Sequence, residues 1–274
     1  MLFRFPILIL LTFCIACDTN KSSELPPAVY QYIAIDYLIS QDPDRSSVYF
    51  SSVRDVGVEV AYETGAEPYT GVFAYPGSYS VWSVTYKNLA DIFADRSYNV
   101  GVTVPTDLSD MTEFPDQLKT SWTIPQLLAL ESSYRRKSSS FSTANFFIAF
   151  VQGHLDGSPG VIGVTISGTP GLRAPAIFLF KEVIQNYNDS LSPDKVKKAE
   201  QMTVTHELSH ALGLVNSGIP MYTAHQDTAH GNHCTNSLCG MYWGLSDTAV
   251  NLMNPSNPLI LGQECRDDVR HYKP

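Results

Sequence analysis

The chain has 274 residues, 44% of them hydrophobic, with 18 basic side chains against 27 acidic ones and a formal net charge of −9. That is enough apolar material to bury a proper core in one or two domains. The acidic balance, with no basic tract to offset it, argues against nucleic acid as a partner.

The first residues read as an export address. Met1 to Arg4 carries one positive charge, and Phe5 to Ile15 is almost wholly apolar but too short to span a bilayer comfortably. The run ends in Cys14-Ile15-Ala16-Cys17, with a small residue directly before Cys17. This resembles a bacterial lipoprotein signal, although Cys14 stands where a leucine is usual. The resemblance implies a signal peptide over 1–16, Cys17 as the lipid-bearing first residue, and a protein anchored in the cell envelope. Secretion after ordinary cleavage is the alternative. Residues 17–50 then read as a tether and N-terminal extension, polar from Asp18 to Pro27 and of ambiguous period from Tyr30 to Ser40.

From about residue 51 to the C-terminus the pattern is that of one α/β domain. Val56, Val58, Val60 and Tyr62 alternate as in a half-buried strand. Trp82, Tyr86, Leu89 and Phe93 recur at helical spacing, which predicts a helix over Ser78 to Asp95. Val100, Val102 and Val104 alternate again up to Pro105, Pro125 to Arg136 has a helical pattern, and Ser138 to Thr143 is a serine-rich loop. Ala144 to Val151 is continuously apolar, as expected of a central strand. Ile162, Val164 and Ile166 suit an edge strand, and Ala174 to Phe180 is another apolar run. Ser192-Pro193-Asp194 opens a long helix, with Ser192 as the cap, and Gly213 ends it.

That helix carries His206-Glu207-Leu-Ser-His210, the HExxH spacing. Residues four apart share a helical face, so His206 and His210 can present two imidazoles to one metal ion, with Glu207 one step round as a general base. A catalytic zinc needs a third protein ligand and an open position. Asn216, His225, His230 and His233 all follow Gly213 and compete for that role. A histidine in a polar loop is by default a solvated surface residue, which is the expectation for His225 and His230, as it is for His154 and His271. Glu264, the only glutamate after Glu207, is a weak candidate for a later helical ligand. With Cys14 removed and Cys17 committed to lipid, Cys234, Cys239 and Cys265 remain, and an exported compartment permits one disulfide among them.

The run His233-Cys234-x4-Cys239-x-Met241 downstream of HExxHxxG resembles the metzincin clan of zinc peptidases, and within it most the archaemetzincins. Asn216 stands where the extended motif would place its third histidine, so the resemblance implies that residues 217 to 232 are an insertion and that His233 is the third ligand. It further implies a twisted, mixed five-stranded sheet with the metal helix beneath it, a small C-terminal subdomain, and one catalytic zinc ion. Gly213 would be the turning glycine, Met241 the methionine turn beneath the metal, and Tyr242 a residue that could steady an oxyanion. The activity implied is hydrolysis of peptide bonds in a protein or peptide substrate. The second zinc of archaemetzincins uses four cysteines ending in CxxC, and this chain has only Cys265 after Cys239. The expectation is therefore no second zinc, and a Cys234–Cys239 or Cys239–Cys265 disulfide instead. Two rival readings stand beside the peptidase: a catalytically inactive envelope lipoprotein with a binding role, and a structural metal site closed by Cys234 or Cys239.

Overall fold

In the computed structural model, which describes residues 45–274 except 75–78, 168–174, 191, 193, 246 and 255–257, the alternating valines form strand β1 (Asp55–Glu63). The expected signal peptide, Cys17, most of the tether and Pro193 lie outside the described residues. The chain then runs through α2 (Ser83–Ile92), β2 (Gly101–Thr103), β3 (Thr112–Phe114), β4 (Ser121–Trp122) and α3 (Ile124–Tyr134). It continues through β5 (Thr143–Val151), β6 (His154–Leu155), β7 (Gly163–Ile166), β8 (Ala176–Phe180) and α4 (Lys181–Gln185). The long helix is α5 (Lys195–Leu212), followed by α6 (Asp247–Leu252) and α7 (Gln263–His271), while α1 (Ser46–Ser51) precedes β1. No helix among the described residues is long and apolar enough to cross a membrane.

The main sheet has six strands, ordered β2-β1-β5-β8-β7, with β3 also paired to β1. All its pairings are parallel except β7 with β8, which is antiparallel, so the sheet is mixed. The expected five positions become six strands because β2 and β3 share one edge of β1. β2 takes Asp55–Gly57 and β3 takes Ala61–Glu63. β4 and β6 form a separate two-stranded ladder.

Side chains along each strand point alternately to two faces, and both faces are buried. Val56, Val58, Val60, Phe146, Ile148, Phe150, Ile177 and Leu179 face the layer built by α1, α2, α5 and the C-terminal segment. Ala61, Phe147, Ala149, Val151, Phe178 and Phe180 face the layer of α3 with Trp122, Leu127 and Leu130. β1 is therefore not half-buried as its alternation suggested. Its polar positions are covered as well, because Glu59 and Glu63 act as internal acceptors. Glu59 takes the backbone N–H groups of Arg136 and Lys137, and Glu63 those of Gln117 and Gln152. A carboxylate buried on this scale is tolerated because charged acceptors bond backbone N–H groups strongly.

α1 is part of the core rather than of a tether, since Tyr49 and Phe50 are buried against the sheet layer. Ser46 Oγ donates to the carbonyl of Leu212 at 2.9 Å, satisfying an orphan acceptor at the end of α5. The C-terminal residues likewise join this core: Ile260, Leu261, Cys265 and Val269 are buried in it, and Arg266 clamps Asp91 of α2 at 2.8 Å.

Candidate metal centre

α5 is buried nearly all round, which a helix achieves only if its polar side chains find partners inside. Glu200 pairs with Lys181 and accepts the Tyr69 N–H, and Gln201 accepts the Thr85 hydroxyl at 2.8 Å. The helix starts later than its sequence suggests. Asp194 is the N-cap residue, and its carboxylate accepts the Ala74 N–H at 2.6 Å instead of capping its own helix. At the other end Gly213 has φ 92°, and the N–H groups of Gly213 and Leu214 return to the carbonyls of His210 and Ser209. A Cβ on Gly213 would lie 2.0 Å from Ser46 Oγ, so both the left-handed backbone and the packing demand glycine there.

Beyond Gly213 the chain makes an irregular excursion and returns as a narrow hairpin-like loop. Gln226 bridges Cys234, the Asp227 N–H bonds the His233 carbonyl at 2.7 Å, and the Thr235 N–H bonds the His225 carbonyl at 2.8 Å. This loop delivers His233 to α5. The Nε2 atoms of His206 and His210 are 3.1 Å apart, and those of His210 and His233 are 3.3 Å apart. Two nitrogens held ~2.0–2.1 Å from a tetrahedral ion would be separated by ~3.3–3.4 Å, so both separations suit neighbouring ligands of one zinc, and all three rings offer a nitrogen within 4.8 Å of the others.

The tautomers agree with that fit. His206 Nδ1 donates to the Gly240 carbonyl and His233 Nδ1 to the His230 carbonyl, each at 2.6 Å. Both rings therefore direct an unprotonated Nε2 at the shared point, which is the outer support that metal-ligating histidines need. Burial holds His206 and His233 below the ordinary imidazole range, and holds His210 well below it with the two neighbouring rings adding to the effect. Neutral imidazoles facing one another at this distance present lone pairs to a cation. Three imidazole nitrogens are the donor set of a catalytic zinc with one position left open.

Glu207 is buried beside the triad, and burial pushes its carboxyl up to about 7 against the Thr165 hydroxyl and the His233 ring, which pull it down. Thr165 Oγ1 lies 2.7 Å from Glu207 Oε2 and 2.8 Å from the Glu207 carbonyl, tying β7 to α5. Gly163, two residues earlier on the same face of β7, makes that approach possible: a Cβ there would come within 3.0 Å of Glu207 Cγ and 2.9 Å of Thr203 Cγ2. Neither Thr165 nor Gly163 is among the residues that the sequence singles out. A signal for them exists, since Ile162, Val164 and Ile166 take one face of the strand and leave Gly163 and Thr165 on the other.

His206, Glu207, His210 and His233 together border a cleft of about 1050 Å³, with Gly160 to Thr165 on one side and Tyr242 to Leu245 on the other. The other candidates are elsewhere. Asn216 has left-handed φ 60° and bonds Gln226, and His230 is exposed, bonded to Asp227 and stacked on Trp243. His271 is exposed and stacked on Tyr222, and His154 sits half-buried in β6. Glu264 lies on α7 near Asn236. Met241 is buried in a turn closed by the Tyr242 N–H to the Cys239 carbonyl.

His225 is not the solvated surface residue its polar surroundings suggested. It is 5% exposed, with Nε2 2.7 Å from Asp268 Oδ2 and Nδ1 3.3 Å from Cys234 Sγ. Cys234, Cys239 and Cys265 are free, buried thiols, and Cys239 Sγ lies 3.5 Å from Cys265 Sγ, against ~2.0 Å for a covalent disulfide. Cys234 and Cys239 turn towards Cys265, so they do not close the histidine triad. Hydrogen bonds from Cys239 and Cys265 hold the Cys234 thiol low, and the same sharing pushes Cys239 up.

Compared with protein-family models, curated proteins and solved structures, the chain matches none.

Proposed function

We propose that this chain is a zinc-dependent peptidase, held in the cell envelope by a lipid on Cys17 and acting on a protein or peptide substrate. The observation that carries the reading is the convergence of three Nε2 atoms at 3.1 and 3.3 Å on the floor of a cleft, with a buried carboxylate beside them. His206, His210 and His233 would hold the ion. When bound, zinc supplies a Lewis acid that polarises a carbonyl and acidifies water. Glu207 accepts the proton of the attacking water and passes it to the leaving amine. Thr165 keeps the Glu207 carboxylate aimed into the cleft, while Gly240 and His230 fix the rings through their carbonyls.

The resemblance to archaemetzincins belongs to the same proposal. It is supported by the left-handed Gly213, by His233 reaching the metal-binding pair across residues 217 to 232, and by Met241 in a tight turn. β7 is the last strand of the sheet beside the cleft, so an extended peptide can add along its outer edge. The test is Glu207→Gln. It should retain one equivalent of zinc at the histidine triad and lose about 10²–10⁴-fold in peptide hydrolysis, the range general-base catalysis supplies. Hydrolysis at the wild-type rate by that variant would defeat the mechanism. A wild type that holds zinc there and cleaves no peptide would favour a binding lipoprotein.

A further inference from the structure

We infer that His225, Cys234, Cys239 and Cys265 hold a second metal ion, a closed Cys3His site whose role is to position the ligands of the first. One donor atom each from His225, Cys234 and Cys265 lie within 4.8 Å of one another, and all three residues are buried. Cys239 lies outside that group of three, with its Sγ 3.5 Å from that of Cys265, and would close on the ion as the fourth donor. Around a tetrahedral zinc with Zn–S ~2.3 Å and Zn–N ~2.0–2.1 Å, neighbouring donors stand ~3.5–3.8 Å apart. The contacts of 3.3 Å between His225 and Cys234 and 3.5 Å between Cys239 and Cys265 are at or just under that spacing.

The surroundings are those of metal-bound thiolates. Backbone N–H groups point at the sulfurs, from Asn236 to Cys234 at 3.4 Å, and from Met241 at 3.4 Å and Gly262 at 3.0 Å to Cys239. The imidazole is oriented from behind. Nδ1 faces the sulfurs while Nε2 donates to Asp268 Oδ2, and Asp268 Oδ1 accepts the Tyr222 N–H at 2.6 Å. A carboxylate on the far nitrogen fixes the tautomer and raises the basicity of a ligating ring. Sulfur-rich donors in a tetrahedral set select zinc over the hard cations. On binding, each cysteine thiol gives up its proton to solvent and His225 enters as the neutral imidazole, so no redox partner is needed.

With four protein donors such an ion has no position for a substrate, although Cys239 also borders the cleft. Its effect runs through the chain. Cys234 directly follows His233, and Cys239 directly precedes Gly240, whose carbonyl orients His206. Cys265 and Asp268 are on α7, so the ion would fasten the irregular segment between Gly213 and α6 to a helix docked on the core. This inference stands on its own donor set, whether or not the histidine triad hydrolyses peptides.

The test uses the full chain purified without chelator. Wild type should carry two zinc ions, and the His206→Ala/His210→Ala variant one. Cobalt substituted into that variant should show intense thiolate-to-metal charge-transfer absorption. A nitrogen-and-oxygen-only cobalt spectrum, or no second ion, overturns the proposal. Because Cys265→Ser can fail by misfolding, a second measurement is made on wild type: alkylation of unreduced, denatured protein, read cysteine by cysteine by mass spectrometry. Cys234, Cys239 and Cys265 should all be alkylated once metal is chelated, and protected from alkylation in the native holoprotein. Recovery of a Cys239–Cys265 or Cys234–Cys239 disulfide overturns the site in favour of a covalent staple.

Discussion

The two side-chain clusters after residue 205 lie close together in the chain, one of three histidines and the other of one histidine and three cysteines, and their surroundings give them opposite characters. His206, His210 and His233 sit at the floor of an open cleft, with a carboxylate to one side and space for a reacting group. His225, Cys234, Cys239 and Cys265 are buried, the three cysteines in the same apolar core as Ile260 and Val269. A metal site with three ligands and access can do chemistry, whereas one with four ligands and none can only hold structure. Exposure, more than ligand type, separates a reactive centre from a clasp. The two are joined covalently at His233–Cys234 and Cys239–Gly240, so disturbance of the clasp should reach the cleft more readily than the reverse.

The largest expected effect tests that asymmetry. His210→Ala removes the ring that stands between the other two, at 3.1 and 3.3 Å. It should lose zinc from the cleft and reduce hydrolysis by more than the ~10–100-fold that a lost outer partner costs. The thiolate absorption of the cobalt form should remain. If both metals were lost together, the centres would be one unit and the contrast between them would fail.

A smaller effect is expected at Thr165, whose hydroxyl reaches Glu207 Oε2 at 2.7 Å. That hydrogen bond favours the carboxylate, so Thr165→Val raises the Glu207 pKa. Activity requires Glu207 deprotonated, and the acid limb of the pH–rate profile should therefore move to higher pH. A hydrogen bond to a charged group contributes ~1.5–3 kcal/mol, which predicts a loss of about ten- to a hundredfold on the acid side that fades at high pH. A uniform loss at every pH would mean that Thr165 only packs.

Much of the sheet is legible in the sequence because its strands are apolar for the physical reason that both faces are covered. Phe146 to Val151 could hardly be anything but a central strand, and the antiparallel edge at Gly163–Ile166 announces itself by alternation. β3 is not legible, because Thr112-Glu113-Phe114 is too short for a period and pairs with Ala61–Glu63, a stretch distant in the chain. Among site residues, His206, Glu207 and His210 follow from helical geometry alone. His233 requires a partner segment, since nothing local in Asn232-His233-Cys234 shows that its loop folds back onto α5. His225 reads as solvated because Thr223, Gln226 and Asp227 around it are polar, while the groups that bury it, Asp268 and Cys234, are distant or face it across the hairpin. Glu59 and Glu63 hide the second buried face of β1 for the same reason: their partners are backbone N–H groups far along the chain.

The smallest expected effect concerns His230, and it sharpens the assignment of the third ligand. Its backbone carbonyl accepts His233 Nδ1–H, whereas its side chain only pairs with Asp227 at 2.7 Å and stacks on the exposed ring of Trp243. His230→Phe keeps the carbonyl and the stacking and deletes the pair with Asp227. A pair this exposed is worth ~0–1 kcal/mol, so metal content should be unchanged and kcat/KM should fall by no more than about fivefold. His233→Phe, by contrast, should release the cleft metal although it preserves the same backbone. Metal loss on His230→Phe with retention on His233→Phe would reverse the ligand assignment, because it would mean that the loop turns its other imidazole inward in solution.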